Sequence, residues 1–549
     1  MRTIEGNRIS EYLFFNKFYF IALMLLKAVI AIMFVGLAII GQIVIDMVKI
    51  QSTTHDFIIF IIIAVVYVIV LAVGMLLKEY LTTKFCNHCS LLLKNDYMKG
   101  IFSMNVCIYG QKETGTYLSE LTNDVQLITD NYFRNSLDII DNVVTFVCAA
   151  VYLSVLHYLM IIVMGVLLII VLLLPLFLHK PLSKATKEYT DYLKDYTARI
   201  KEIFSGLYSV KIGGAETVYY SKIDDYHKKL IKRQNKLGFA YVLSGTLPMA
   251  VVVVLQLVSV LFAGFLALNN LLTVGMVMAV LQLGNSFFTP LSNISGQVSA
   301  IKGSKPLREQ LLLMVKKSTE DDQSVKLKLE DAIRLNKVSF GYNGHKFILK
   351  DFSYSFKCNE KYLIIGESGS GKSTLLKLLA KFIIPQEGNI NFDSMSYQDI
   401  QEKVLYGGAL QYVEQDPFIF HDSIRNNIDL CQKGDEEQFK KVIEFCGLED
   451  WIDSLPEGID TVIDEEVNKI SGGQKMRLAL ARALYYNPSV LLLDEVTSSL
   501  DKKNAEKIEE MILGLNILVI HVAHKSSERF KSSYSHILDF NNGTEQTCK

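Results

Sequence analysis

From Leu237 to Ala300 the chain carries no charged residue, and nothing else in the sequence limits its fold as tightly. A lipid bilayer accommodates such a stretch readily, because a helical span needs about twenty consecutive apolar residues. Asn269-Asn270 divides the stretch into two spans. Phe57–Leu77, "FIIFIIIAVVYVIVLAVGMLL", is a further uncharged run, and Asn142–Leu178 has room for two spans with a turn near His157. With Phe18–Val48 as the first, six spans are expected. A signal peptide is excluded, since the first apolar run is too long and lacks a small-residue cleavage site.

Lys and Arg set the orientation. The turns near Lys49, His157 and Asn269 hold one Lys between them, whereas segments 78–134 and 180–236 are rich in both, so those segments and both termini face the cytoplasm. Each segment is far longer than an ordinary connection and reads as helix, which carries the spans well beyond the bilayer. Each must also reverse at its tip. The reversals are expected near Thr114–Val125 and Glu202–Glu216, the latter punctuated by Gly206, Gly213 and Gly214.

A second composition follows. The stretch "VKKSTEDDQSVKLKLE", Val315–Glu330, breaks the apolar character, and beyond it short β-branched runs alternate with helical stretches. That alternation argues for a mostly parallel sheet with helices on its faces. The expected plan is a helical membrane domain over 1–310, a linker over 311–329 and a soluble α/β domain over 330–549. Formal net charge is -1, which gives no reason to expect a nucleic-acid partner. Cys86 and Cys89 form a lone CxxC on a helical segment, where a buried structural pair is expected rather than a metal or redox site.

The α/β half carries the chemistry. In "KYLIIGESGSGKSTLLKLL" a strand runs through a glycine-rich loop into a helix, the context that turns the motif into a phosphate site. Gly366, Glu367, Ser368, Gly369, Ser370 and Gly371 form the loop, and its backbone N–H groups face phosphate oxygens. Lys372 reaches the terminal phosphates, and Ser373, followed by Thr374, can ligate Mg²⁺. In "SVLLLDEVTSSLD" a buried strand ends in Asp494, a second Mg²⁺ ligand, and Glu495 beside it can orient or deprotonate an attacking water. A soluble P-loop kinase is excluded by the six spans.

With "ISGGQ" at Ile470–Gln474 the sequence resembles the ATP-binding cassette, or ABC, family. Gln415 in "EQDPFIF" is similar to the family's glutamine loop, a third contact to Mg²⁺, and His524 in "VIHVAHK" to its histidine switch. Tyr342 stands where the family stacks an aromatic on adenine, a contact contributing about 1–3 kcal/mol. The resemblance implies an exporter-type half-transporter: six long membrane helices fused to one α/β P-loop cassette, binding ATP with Mg²⁺. It further implies that Ser471, Gly472, Gly473 and Gln474 of one subunit meet the γ-phosphate held on another, where the helix dipole favours the anion. A single cassette therefore needs a partner, with a homodimer the simpler arrangement and a heterodimer of this active half with a weak one the alternative. Both reversals would be coupling helices, here near Gly115–Asp124 and Gly206–Glu216, and two spans would cross between subunits. In "TVIDEEVNKISGGQ" Glu465 matches an acidic contact, while Asp464 and Val467 replace two usual glycines.

The resemblance leaves the cargo open. Lys27, Asp46, Gln256, Gln282 and Asn285 stand out among aliphatic neighbours. Lys27 either meets an anionic cargo or snorkels to the interface, and the amides either line a path or bond helix to helix. Such a lining suits a hydrophobic or amphipathic cargo, whether peptide, lipid or drug-like. The chain starts at its first span, so the cysteine-peptidase domain of bacteriocin-processing relatives is expected to be absent. Abundant Lys, Ile and Asn point to an AT-rich bacterial genome and hence a plasma-membrane location. Import of a siderophore-like compound on the same fold, or a channel-like protein gated by ATP, are the alternatives.

Overall fold

The computed structural model describes residues 9–49, 53–315, 327–342, 347–431, 434–463, 470–498, 500–523, 531–541 and 544–547. Two compact units form, one of residues 1–102 and 114–318, the other of residues 103–113 and 319–549. In chain order the principal helices up to residue 315 are α1 (Lys17–Lys49), α2 (Thr54–Phe102), α3 (Val106–Tyr109), α4 (Asn135–Leu156), α5 (Tyr158–Ser205), α6 (Leu207–Ile212), α7 (Glu216–Leu268), α8 (Val274–Gly303) and α9 (Lys305–Val315).

The six long helices of the first unit follow the apolar runs. Among the described residues five helical runs are long and apolar enough to cross a membrane, the third being Thr114–Leu156, which ends in α4; the described apolar part of α5, Tyr158–Leu173, is shorter. At 49, 48 and 53 residues, helices α2, α5 and α7 reach about 70–80 Å, more than twice a bilayer core. Packing separates their two ends. Ile58, Ile62, Val66, Ile69 and Val73 of α2 are exposed, as lipid-facing side chains would be, whereas Phe85, Leu93 and Tyr97 farther along are buried with Tyr12, Val125 and Phe133. Cys86 and Cys89 sit in that same core as free thiols, and no metal-ligating cluster exists among the described residues.

The expected turns at His157 and Asn269-Asn270 are found, each with its own chemistry. His157 is extended, and its Nδ1 accepts from Leu159 N at 3.2 Å, capping α5. Asn270 takes a left-handed φ of 58°, and Thr273 Oγ1 caps α8 by accepting from Met276 N at 3.1 Å. Asp46 completes that end, accepting from Thr273 Oγ1 at 2.9 Å and from Gly275 N at 3.1 Å. A Cβ on Gly275 would lie 2.4 Å from the Gln42 carbonyl oxygen, so glycine lets α1 and α8 approach. Gln256 binds helix to helix, its Nε2 donating to Leu281 O at 2.6 Å.

Two expectations are corrected. The first reversal lies earlier than Thr114–Val125: α2 stops at Phe102, Asn105 is extended and Gly110 ends the short α3. Thr114 and Gly115 instead open a helical run that passes through two π-type turns, Glu120–Asp124 and Thr129–Arg134, into α4. The linker is also narrower than 311–329, because α9 runs to Val315 with Leu311 buried in the first unit, while Leu329 is buried in the second. The second reversal falls where expected, around α6 between Gly206 and Gly213.

Lys27 Nζ bonds Asp138 Oδ1 at 2.8 Å, with the lysine side chain 1% exposed, so its charge is held inside the helix bundle. Removing one partner of a buried pair strands the other. Lys27→Met is expected to destabilise the membrane unit by about 3 kcal/mol, near the low end for such pairs, because Asp138 keeps 31% exposure. Lys27→Met/Asp138→Leu should recover most of that loss in thermal denaturation in detergent. Equal losses in both variants would mean that the unpaired Asp138 carboxylate is not the source of the destabilisation.

The second unit holds strands β1 (Ala332–Phe340), β2 (Leu349–Lys357), β3 (Lys361–Ile365), β4 (Glu387–Phe392), β5 (Met395–Ser396), β6 (Leu410–Val413), β7 (Asp422–Ser423), β8 (Val462–Ile463), β9 (Val490–Asp494), β10 (Leu518–Val522), β11 (His536–Asp539) and β12 (Thr544–Thr547). One sheet runs β12-β11-β3-β10-β9-β6, parallel except for β12, and an antiparallel sheet runs β2-β1-β4-β5. The parallel sheet was expected from "KYLIIG" and "VLLLDE"; the antiparallel one was not. Register brings Val522 opposite both Ile364 and Asp494, so the carboxyl ends of three strands share one edge. Ligands of parallel α/β sheets gather at that edge.

Candidate functional site

At the edge where β3 ends, the chain turns through Gly366–Gly371 into helix α10 (Lys372–Leu379). Gly369 and Gly371 hold φ values of 85° and 101°, a region costly for any residue with a Cβ. A Cβ on Gly371 would also press on Ile348 Cγ2 at 3.0 Å. The loop is tethered from outside, where Asn541 Oδ1 accepts from Glu367 N at 2.7 Å. Lys372 Nζ donates to the Gly366 and Glu367 carbonyls, both at 2.8 Å. That leaves one of its three N–H groups for a phosphate. Ser370 Oγ is buried with no hydrogen-bond partner among the described residues, a polar atom within the loop that fits an anionic group. Ser368 and Thr374 complete the stretch.

Two strands away, Asp494 closes β9 and draws the metal-competent oxygens together. Ser373 Oγ donates to Asp494 Oδ1 at 3.0 Å, and Tyr412 OH donates to Oδ2 at 2.9 Å. Burial first, then the Asp494 charge, raises the Tyr412 pKa above its ordinary value, so the phenol stays a donor. A hydroxyl and a carboxylate meeting at one point fit a hard divalent cation. Glu495 follows in a left-handed conformation, φ 53°, a strain of about 1–3 kcal/mol that persists only where neighbours enforce it. The enforcing contacts are Glu495 N to Val522 O at 2.9 Å and Ser498 Oγ to Glu495 O at 2.8 Å. Gln415 Nε2 donates to Glu495 Oε2 at 2.9 Å, so the two side chains singled out in the sequence touch.

Tyr342, just past β1, is half exposed and packs edge-on against Phe340 at 5.1 Å, which leaves ring surface for a stacking base. His524 lies outside the described residues, as do Asp464, Glu465 and Val467. The other histidine of "VIHVAHK", His521, is a core residue. It shares a 2.8 Å hydrogen bond with Tyr534 OH, and burial pushes its pKa down to about 4.

Ser471 caps helix α11 (Gly472–Tyr485) through a reciprocal pair: its Oγ accepts from Gln474 N at 3.2 Å, and Gln474 Oε1 accepts from Ser471 N at 2.9 Å. The Ser471 hydroxyl proton and the first-turn amides of Gly472 and Gly473 have no acceptor in the helix, so this end is ready for an anion. Among the described residues no hydrogen bond joins it to the glycine loop of its own chain. Sequence reasoning missed Tyr412 and Asn541, for which no motif exists, and a contact at Glu402, whose Oε2 accepts from Val106 N at 2.7 Å.

A family model described as ABC transporter matches residues 349–498, and one described as ABC transporter transmembrane region matches residues 19–291. The chain belongs to the ABC transporter family. This transporter is 29% identical to an uncharacterized ABC transporter ATP-binding protein, YwjA, of Bacillus subtilis, over 85% of this chain and 83% of that protein. It is 26% identical to the lactococcin-A transport/processing ATP-binding protein LcnC of Lactococcus lactis, over 78% of this chain and 61% of that one. A solved bacterial Atm1-family ABC exporter with ATP bound shares the fold, with TM-score 0.82 and 19% identity over 97% of this chain and 95% of that one. The transporter is therefore a multi-pass membrane protein that binds ATP and couples its hydrolysis to transport. With one cassette per chain, it is a half-transporter that dimerises.

Proposed function

We propose that the transporter exports a hydrophobic or amphipathic cargo across a bacterial plasma membrane as a homodimer with cytoplasmic cassettes and two composite ATP sites. The observation that carries this reading is the Ser373–Asp494 and Gln415–Glu495 pairing at the edge where the glycine loop begins. In it, Gly366–Gly371 and Thr374 cradle phosphate with backbone N–H groups, Lys372 neutralises it, and Tyr342 stacks on the base. Ser373, Asp494 and Gln415 would hold Mg²⁺, which when bound offsets phosphate charge. Glu495 takes the proton of the attacking water, with His524 as the switch, and Ser471–Gln474 of the second chain closes over the γ-phosphate. Family relationships support export: relatives include a lactococcin transport/processing protein and an ATP-dependent lipid A-core flippase of Haemophilus influenzae.

The second cytoplasmic tip supports a second copy. Phe204, Tyr208 and Ile212, flanking and within α6, are 69%, 84% and 87% exposed, an apolar knob that a partner's cassette would cover. The first tip has its own anchor, the Glu402 contact to the start of α3. Burial raises the Glu402 pKa, with the Val106 N–H opposing, and Asn105 offers no side-chain cap. Glu402→Ala is expected to leave ATP hydrolysis within about twofold and reduce transport per ATP about tenfold, the effect of losing a hydrogen bond to a charged group worth about 1.5–3 kcal/mol. Equal losses in both rates would remove Glu402 from the coupling path.

Cargo and direction are tested together. Molecules that co-purify with the protein and leave when ATP closes Glu495→Gln are identified by mass spectrometry, then offered to proteoliposomes with cassettes outside. ATP-dependent accumulation inside is the expected result; ATP-dependent depletion of preloaded vesicles would establish import instead.

A further inference from the structure

A pocket of about 410 Å³ opens between α1, α2, α4 and α8, and its lining differs from the aliphatic surfaces around it. Asn285, Thr289 and Asn293 stand on α8 at i, i+4 and i+8, exposed, with no side-chain hydrogen bond among the described residues. Beside them Ser286 is 3% exposed, and its Oγ has no partner among the described residues. Turned to lipid, this row would leave its polar groups unpaired at a cost no apolar contact recovers. Lys78 and Asp141, the charged lining groups, bond each other at 2.7 Å. A phosphate headgroup or a cationic drug would find no free counter-charge there.

What remains is a set of amides and hydroxyls, which both donate and accept. We infer that this groove binds an uncharged stretch of the cargo's peptide backbone, an assignment that rests on the export reading above and gives it a substrate class. Spacing supports it. Residues four apart on a helix recur about every 6 Å, and an extended peptide presents like-facing backbone groups about every 6.6 Å. Three side chains can therefore follow a short extended segment, while Phe34 of α1 and Met75 of α2, which also line the pocket, receive its apolar side chains. The site takes a chain by its backbone and tolerates varied sequences.

The test uses the full-length transporter in nanodiscs and a photo-crosslinking pool of N-acetylated, C-amidated decapeptides of Ala, Leu and Ser with a central benzoylphenylalanine. Crosslinks should map to 285–293 or to the facing turn at 141–145. The unlabelled pool should compete, and the same pool with N-methylated backbone amides should compete about tenfold more weakly, having lost its N–H donors. Asn285→Leu/Thr289→Val/Asn293→Leu should reduce labelling by a similar factor. Equal competition by the methylated pool, equal competition by phosphatidylglycerol, or labels mapping elsewhere overturns the inference using wild-type protein alone. ATP-dependent movement of a non-peptide in the vesicle assay would overturn it while leaving export standing; loss of all ATP-dependent movement strikes the export reading itself.

Discussion

Glu495→Gln should reduce ATP turnover by about 10²–10⁴-fold, the span expected when a general base is removed, while ATP still binds and closes the dimer. The substitution keeps size and keeps an oxygen for Gln415 Nε2, which donates to the Glu495 carboxylate at 2.9 Å. It removes only the ability to take a proton. The left-handed backbone at this position, φ 53°, is held by Val522 O and Ser498 Oγ and none of those contacts involves the carboxylate, so the loop should keep its shape. Phosphate release and retained radiolabelled ATP, measured on one preparation, separate the two effects. Turnover within about tenfold of wild type would move the base elsewhere; lost ATP binding would mean that Glu495 shapes the site rather than acting in it.

The contrast between Glu495 and Lys27 shows what the sequence discloses and what it withholds. Glu495 is legible because its surroundings are local: a buried strand must end somewhere, and the residue after Asp494 emerges at the sheet edge whatever the rest of the chain does. Lys27 is decided by Asp138, which is 111 positions away, and nothing in the run around it announces a partner on another helix. Tyr412 and Asn541 are hidden for the same reason, since each touches the site through the fold rather than through neighbours in sequence. The first reversal was displaced by a subtler competition. Thr114-Gly115 has breaker composition yet opens a helical run, and the turn falls at Ser103–Glu113, where Asn105 is extended and α3 finds Glu402 as an acceptor. The apolar helices and the parallel sheet were readable because hydrophobic runs and strand–loop–helix order are properties of contiguous residues, although five of the six expected spans are long and apolar enough among the described residues.

On the proposed homodimer with composite sites, mixing two inactive variants should restore activity. Lys372→Ala removes the loop cation, and Ser471→Arg places a bulky cation at the cap that otherwise offers a hydroxyl proton beside two amides. Each homodimer then carries two damaged sites and should lose nearly all turnover. In a mixed dimer one site combines both defects, whereas the other pairs the intact loop of one chain with the intact helix end of its partner. With random pairing, half the dimers are mixed and each retains one of two sites, so co-expressed variants should recover about a quarter of wild-type turnover. Among the described residues the Ser471–Gln474 cap makes no hydrogen bond to the glycine loop of its own chain, and on the proposed arrangement recovery comes from pairing. If each chain instead built its own site, no mixture could exceed the sum of its inactive parts. A mixture that stays inactive although tagged pull-down shows mixed dimers would therefore refute the head-to-tail arrangement or show that both sites must fire. A fused tandem chain with one wild-type site separates those two outcomes, because it turns over only if a single composite site is sufficient.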